Sequence, residues 1–332
     1  MTQPRDARRA THPPTPRSGR ATWLLCLLLT IAGAGVSSQT KYPTPTVMVV
    51  THSSPGGGSD VFLREMTPHL SRILGANIIV DNVQGGSGAR AMVDIARARP
   101  NGGRLYATTP TFIYTSLLSK PAVSYRDLEP LVNIFYDPEM LYTAADSPFK
   151  TLKDVLDRAR RGGGRWGAAN PASLERQVME RLKQRAGVSP AVATFEGGGD
   201  MLISVLNHTL DMGVGELQEI RPQLDAGKLR LLAVVGDARL PQFPAVPTVK
   251  EQGIDLSVRK FRGLAGPKGA SRAVIAAWEA AIPKLLADPK YKQIYLANGL
   301  QPGFIPHAAY LTFIDAFGQD AAGFLKASGV VR

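Results

Sequence analysis

The chain contains a single cysteine, Cys26, which falls in a short apolar run close to the start. Once that run is removed no disulfide and no thiolate metal site can form, and the remainder must be held by its core. Histidines are few, and His52, His69, His208 and His307 stand singly without an H-E-x-x-H or similar ligand pair. Metal catalysis is left without a ligand set, and no metal or other cofactor is expected. No G-x-S-x-G elbow occurs, and no serine stands at a known spacing from a histidine and a carboxylate; a hydrolase lacks its motif. Beyond residue 40 no segment is long and apolar enough to span a bilayer, which needs about 20 residues.

What the chain does have at its start is a leader. Arg5, Arg8, Arg9, Arg17 and Arg20 precede the apolar stretch Ala21 to Ile31, and small residues follow through Ser38. This layout is that of a secretory signal peptide over residues 1–38, with an uncleaved anchor as the alternative. Cleavage fits Ala32-Gly33-Ala34 or Val36-Ser37-Ser38, and the mature chain is then expected to be soluble and periplasmic. Its formal charge falls from +12 to 34 − 26 = +8 when five arginines and Asp6 leave with the leader. The remaining basic residues are scattered, without the basic groove and interleaved aromatics of a nucleic-acid binder. The charge reads as mild attraction for anions, and nucleic acid is not expected as a partner.

The densest signal is the run Pro55-Gly56-Gly57-Gly58-Ser59-Asp60. Val47 to Val50 before it reads as a buried strand, and Leu63, Met66, Leu70 and Ile73 after it recur at helical spacing. A strand turning through glycines into a helix offers bare N–H groups at the positive end of the helix dipole, which suits an anion. No Gly-Lys-Ser/Thr follows and no G-x-G-x-x-G can be written at this run, so a small carboxylate is the simpler expectation than a nucleotide phosphate.

The arrangement recurs. Ile78-Ile79-Val80 leads into Asp81 to Gly88, and Leu105 to Thr108 leads into Thr109-Pro110-Thr111. Thr151 to Asp154 has capping-box form ahead of a helix running Val155 to Arg161. A strand around Trp166 leads into Asn170-Pro171-Ala172-Ser173 and a helix from Leu174 to Arg185. Val192 to Phe195 leads into Glu196-Gly197-Gly198-Gly199-Asp200 and a further helix. Strands at Leu210–Val214 and Leu229–Val235 complete a second sheet, and the tail from Ser271 to Val330 reads as mainly helical, broken near Pro289 and Pro302. Strands alternating with helices predict α/β layers with largely parallel sheets, whose ligands sit beyond the carboxyl ends of the strands. Two similar halves with glycine loops at facing strand ends describe a cleft closed by two lobes; a single wound domain with ordinary glycine turns is the alternative.

These blocks resemble a known family. Pro55 to Asp60 with Arg64, and Val80 to Gly88, are similar to the first two signatures of the tripartite tricarboxylate transporter receptors, also called Bug proteins. Ala226 to Val234 and Val246 to Gly253 resemble the two C-terminal blocks, so the resemblance spans roughly residues 45 to 325 in the family's order. It implies a two-lobed periplasmic-binding-protein (Venus flytrap) fold, with residues 41–140 plus 262–332 as one lobe and 141–261 as the other. Hinges are expected near Asp137–Ala144 and Leu256–Gly263. The implied function is a monomeric, non-enzymatic receptor that hands a carboxylate-bearing solute to the membrane permease subunits of a tripartite tricarboxylate transporter. An exported hydrolase or a ligand-sensing module without a transport role is the alternative.

Carried onto this chain, the first loop supplies Ser53, Ser54, Pro55, Gly56, Gly57, Gly58, Ser59 and Asp60, supported by Asn82, Thr108 and Thr109. The other lobe supplies Ala169, Asn170, Ser173, Glu196, Gly197, Gly198 and Gly199, with Gly215 and Glu216 as weaker candidates. Asp60 beside a carboxylate would repel it, so Asp60 is assigned to its own helix and Arg64 to pairing with it or facing solvent. His52 reads as a partly exposed loop histidine, and Trp166, Phe112 and Tyr114 as core or cleft wall. The sequence departs from the family pattern at His52-Ser53-Ser54, at Ala168 to Ser173 and at Asp200, where selectivity is set.

Overall fold

Apolar β-branched runs and glycine-capped helices build the first half. The computed structural model describes residues 42–327 and 329–331; the leader, Cys26 and both cleavage sites lie outside them. Strand β1 (Thr46–Thr51) buries Val47, Val49 and Val50. Helix α1 (Gly58–Leu74) follows, with Leu63, Met66 and Leu70 on its buried face, and ends at Gly75, whose φ of 64° is open to glycine. Then come β2 (Asn77–Asn82), α2 (Ala89–Ala96), β3 (Arg104–Thr108) and α3 (Pro110–Ser119), with Pro110 at the helix start where its missing N–H costs nothing.

Strands β4 (Leu128–Asp137) and β5 (Glu139–Ala144) are separated by Pro138 alone. Helix α4 (Leu152–Arg160) opens on the expected capping box: the Asp154 backbone N–H donates to Thr151 Oγ1 at 3.3 Å, and the Thr151 N–H donates to Asp154 Oδ2 at 2.8 Å. The chain continues through β6 (Arg165–Ala168), α5 (Leu174–Ala186), β7 (Ala191–Thr194), α6 (Gly198–Leu206), β8 (Gly213–Glu216), α7 (Leu217–Asp225) and β9 (Leu229–Val235). It closes with β10 (Lys260–Pro267), α8 (Arg272–Ala287), α9 (Pro289–Ala297), β11 (Gln301–Ile305) and α10 (His307–Ala327).

The larger sheet has the order β11-β4-β10-β3-β1-β2. A second sheet has the order β8-β5-β9, and β6 pairs with β7, joined toward β8 by a bridge between Trp166 and Met212. The chain passes between the large sheet and the β5 sheet twice among the described residues, at Pro138 and through residues 236–259. Trp166, Phe112 and Tyr114 are buried in one apolar cluster, as expected.

Three expectations need correction. The sheets are not largely parallel: β1 is parallel to β2 and β3, but β10 runs antiparallel to β3 and β4, and β5 antiparallel to β8 and β9. The strand expected at Leu210–Val214 begins three residues later, at Gly213, and ends at Glu216, with Leu210 and Met212 buried ahead of it. The tail is not helical throughout. Gln301–Ile305 forms β11, which pairs with β4 alone, and an edge strand tolerates Pro302.

Candidate functional site

The first glycine loop is held by its own side chains. Asp60 Oδ2 accepts from the Gly56 N–H at 2.9 Å, and Arg64 Nε donates to Asp60 Oδ1 at 2.9 Å. Asn82 Nδ2 donates to the Ser53 carbonyl at 3.0 Å and to Asp60 Oδ1 at 2.9 Å, while Arg64 donates to Asn82 Oδ1. Asp60, Asn82 and Arg64 therefore shape the loop. Burial pushes the Asp60 carboxyl up, but the bonds from Arg64, Gly56 and Asn82 outweigh it and hold it below its ordinary value. The cap positions Gly57 of α1 and Gly197 of α6 carry no side-chain cap, so both helices begin with backbone N–H groups that no cap has claimed.

Both helix starts face one cavity of about 30 Å³. Of the expected ligand residues, Ser53, Gly58, Ser59 and Thr109 line it from one side of the chain's fold, and Ala169, Asn170, Gly197 and Gly198 from the other. Ser54, Pro55, Gly56, Gly57, Asp60, Asn82, Thr108, Ser173, Glu196 and Gly199 are not in its wall. Their alternative work is visible for several. Ser173 Oγ caps α5 by accepting from the Arg176 N–H at 3.1 Å, and Thr108 Oγ1 lies 2.8 Å from the Tyr310 hydroxyl. Glu196 is exposed.

The wall also contains groups the sequence reading left out or ranked low: His52, Thr111, Glu175, Val214, Glu216, Glu219 and Lys260. Lys260 Nζ bonds Glu175 and Glu216 and lies 3.2 Å from Glu139 Oε1. Arg262 donates from Nε to Asp137 at 2.6 Å, from Nη2 to Glu216 at 3.0 Å and from Nη1 to Ser59 Oγ at 3.0 Å. All of these charged groups are buried. Glu139, Glu175 and Glu216 approach one another closely enough to hold a metal ion, but the Lys260 ammonium hydrogen-bonds Glu175 and Glu216, lies 3.2 Å from Glu139 and supplies their cation from within the chain.

Burial pushes Glu216 up, yet Lys260 and Arg262 outweigh it and hold this carboxyl far below its usual range. Burial raises Glu219 well above its ordinary value, and the neighbouring charge of Glu216 raises it further. A side-chain hydrogen bond between the two carboxyls raises Glu219 and lowers Glu216. Burial also lifts Glu139, against the pull of Lys260. Lys260 itself is desolvated, but Glu139, Glu175 and Glu216 keep it firmly charged.

The glycines admit these carboxyls. A methyl group on Gly58 would stand 2.5 Å from Glu216 Oε2, and one on Gly198 would overlap Glu219 Oε1. A methyl on Gly197 would collide with Ser54 Oγ, so the two glycine loops touch across the cleft. His52 is not the partly exposed loop residue expected. It is 6% exposed, its Nδ1 lies 2.9 Å from the Tyr106 hydroxyl, and burial, reinforced by Lys260, pushes it down to about 4.

A pattern for the missed groups does exist in the sequence. Lys260 and Arg262 lie two apart in an otherwise apolar strand, as do Asp137 and Glu139 about Pro138, and Glu216 and Glu219 lie three apart at a helix start. Such spacings put like charges on one face. Buried charges of both signs converging in this way were detectable only by asking what each faces.

The chain compares well with known proteins once this geometry is in view. The family model described as tripartite tricarboxylate transporter family receptor matches residues 62–323. The UPF0065 protein in gbd 5'region of Cupriavidus necator is 27% identical over 278 residues, covering 82% of this chain and 84% of that protein. Among solved structures, an R. palustris protein with adipate superposes with a TM-score of 0.82 at 22% identity, covering 87% of this chain and 99% of the other. MatC from Rhodopseudomonas palustris, with bound malate, gives 0.77 at 23% identity, covering 88% and 100%. The fold is thus the two-lobed α/β fold of periplasmic binding proteins, and the chain belongs to the tripartite tricarboxylate transporter receptor (Bug) family of solute-binding proteins.

Proposed function

We propose that this protein is a periplasmic, monomeric receptor that captures a small carboxylate-bearing solute and presents it to the permease subunits of a tripartite tricarboxylate transporter, without chemistry of its own. The two lobes are divided where the chain passes between the sheets, at Pro138 and within residues 236–259. The observation that carries the reading is the convergence of two uncapped helix starts, α1 and α6, on one cavity. Backbone N–H groups and the positive ends of two dipoles there favour an anion. Ser53, Thr109 and Asn170 add hydroxyl and amide donors to the same wall. The adipate and malate in the solved relatives support a carboxylate as the bound group.

A thermal-shift screen of the chain from about Gln39 against mono-, di- and tricarboxylates, aromatic acids and acidic amino acids tests this. Ligand at 100 times its Kd stabilises the folded state by about 2.7 kcal/mol. A shift confined to one carboxylate class is the expected result. No shift with any class, together with no solute released on denaturation and detected by mass spectrometry, would overturn the receptor assignment.

A further inference from the structure

We infer that Arg181 is a clasp between the two sheet systems, and that this side chain sets how readily they part when no solute is bound. The inference goes beyond the receptor reading, and its test needs no solute.

Arg181 sits two turns into α5, a helix tied to the smaller sheets by Arg176 Nη1, which donates to the Val192 carbonyl of β7 at 3.3 Å. Facing it are α3 and α10, which go with the larger sheet. Helix α3 leaves the end of β3, and the Tyr310 hydroxyl of α10 lies 2.8 Å from Thr108 Oγ1 of β3. At the start of α10, His307 Nδ1 lies 2.7 Å from the Pro130 carbonyl of β4. The Arg181 guanidinium carbon stands 3.8 Å from the centre of the Phe324 ring of α10, well inside the reach of a cation–π contact. Arg181 also donates to the Tyr114 hydroxyl of α3, and the Tyr114 ring meets Phe317 of α10 edge-on at 6.1 Å. One side chain of one system is thus received by two helices of the other.

The space around this contact is open on both flanks. On one side lies a groove of about 800 Å³, lined by Leu118 and Phe324 and by Gln177, Lys183 and Val188. On the other lies a pocket of about 140 Å³ between Arg181, Tyr114, Phe317 and Asp320, its lining completed by Ser257, Val258 and Arg259. Residues 257–259 end the second passage of the chain between the sheets, so the clasp stands beside one of the two crossings. Interiors built to stay shut pack without such voids. An interface voided on both sides has few contacts to lose on parting, and the stack carries a large share of what holds it. Arg181 Nε is buried without a hydrogen-bond partner, and this donor regains water when the systems separate. The contact is poised, not locked.

Lys260 and Arg262 also tie the systems together, but they belong to the solute cavity: Lys260 lines it, and Arg262 bonds Ser59, which lines it too. Arg181, Phe324 and Tyr114 form no part of that wall. Altering them changes the energy of closing and leaves the solute's surroundings intact.

Small-angle scattering and amide exchange test this on the mature chain, freed of carried-over solute by unfolding and refolding. Arg181→Lys keeps the charge but loses the flat face, and Phe324→Leu keeps an apolar side chain without the ring. Arg185→Gln, a change on the same helix at a residue bonded to Asp255, is the control. Arg181→Lys and Phe324→Leu should each enlarge the radius of gyration. Each should also speed exchange in the facing turns of α5 and α10 by about two- to thirtyfold, the span of a cation–π contact. Arg185→Gln should match the wild type. Wild-type radius and exchange in both clasp variants would overturn the inference. So would faster exchange spread evenly over the chain, which marks general destabilisation. Neither result bears on solute capture, which the carboxylate screen decides.

Discussion

His52 shows how a single residue's surroundings become a measurable property. Buried and facing the Tyr106 hydroxyl, it has its pKa pushed down to about 4 from an ordinary 6.5. The unfolded chain therefore takes up a proton between those values that the folded protein refuses. Stability from this group is complete above pH 6.5 and is lost as pH falls through about 4. A shift of this size corresponds to about 3 kcal/mol. Replacing His52 with Gln keeps an acceptor for Tyr106 and removes the titration. Urea melts at pH 7 and pH 4 should show the wild type losing about 3 kcal/mol more than His52→Gln over that interval. Equal losses would mean that the imidazole is charged or solvated in the folded state. At this scale the sequence was only half legible. Ser53, Thr109, Asn170, Gly58, Gly197 and Gly198 announce themselves by residue type beside a turn, and they do reach the cavity, whereas Gly56, Gly57 and Gly199 do not. Lys260, Glu175 and Glu219 do not, because a charged residue in a sequence reads as surface until its opposite partner is placed next to it.

At the scale of elements, the glycine-led helix starts acquire separate roles for adjacent glycines. Gly198 leaves room for the Glu219 carboxyl, whereas a methyl on Gly199 would meet nothing within 4 Å. Gly198→Ala should lower stability by about 1–3 kcal/mol through overpacking and weaken solute binding. Gly199→Ala, by contrast, should be neutral or gain up to about 1 kcal/mol from helix propensity. Chemical denaturation of the two variants separates the cases, and recovery of stability in Gly198→Ala/Glu219→Ala would identify the clash. Equal behaviour of the two alanines would show that the triple glycine is a turn device only. Helices α1 and α5 and strand β1 were readable because their apolar spacing is local, and they lie within a residue or two of where periodicity puts them, whereas α3 and α7 were not assigned. Strands β4 and β10 were not assigned, since Pro130, Asn133, Lys260 and Arg262 break the apolar pattern of strands that are nonetheless central. Their polar residues are compensated by partners distant in sequence, such as the Asn133 amide donating to the Gly303 carbonyl at 2.7 Å.

For the molecule as a whole, the cavity volume of about 30 Å³ equals roughly one water's share of the liquid. On the receptor reading proposed above, a small carboxylate needs several times that room, and the two sheets are expected to part at Pro138 and within residues 236–259, the places where the chain passes between them. Asp137 and Glu139 flank the first passage and Lys260 and Arg262 follow the second, which puts the buried ion network where the chain passes between the sheets. Small-angle scattering should give a smaller radius of gyration with saturating solute than without, as a hinge-bending receptor closes on its ligand. An unchanged radius at saturation would mean that the solute enters without movement of the lobes.

The strand order carries a further consequence, for biosynthesis. Strand β10 lies between β3 and β4 in the larger sheet, yet its residues 260–267 come late in the chain. A nascent polypeptide that has reached residue 259 holds two strand edges on either side of an empty slot. It also has four acidic side chains, Asp137, Glu139, Glu175 and Glu216, whose lysine and arginine partners lie ahead. Hydrophobic and electrostatic completion arrive together, within one eight-residue segment. At about 5–20 residues per second of synthesis, that segment delays completion of the larger sheet until most of the polypeptide exists.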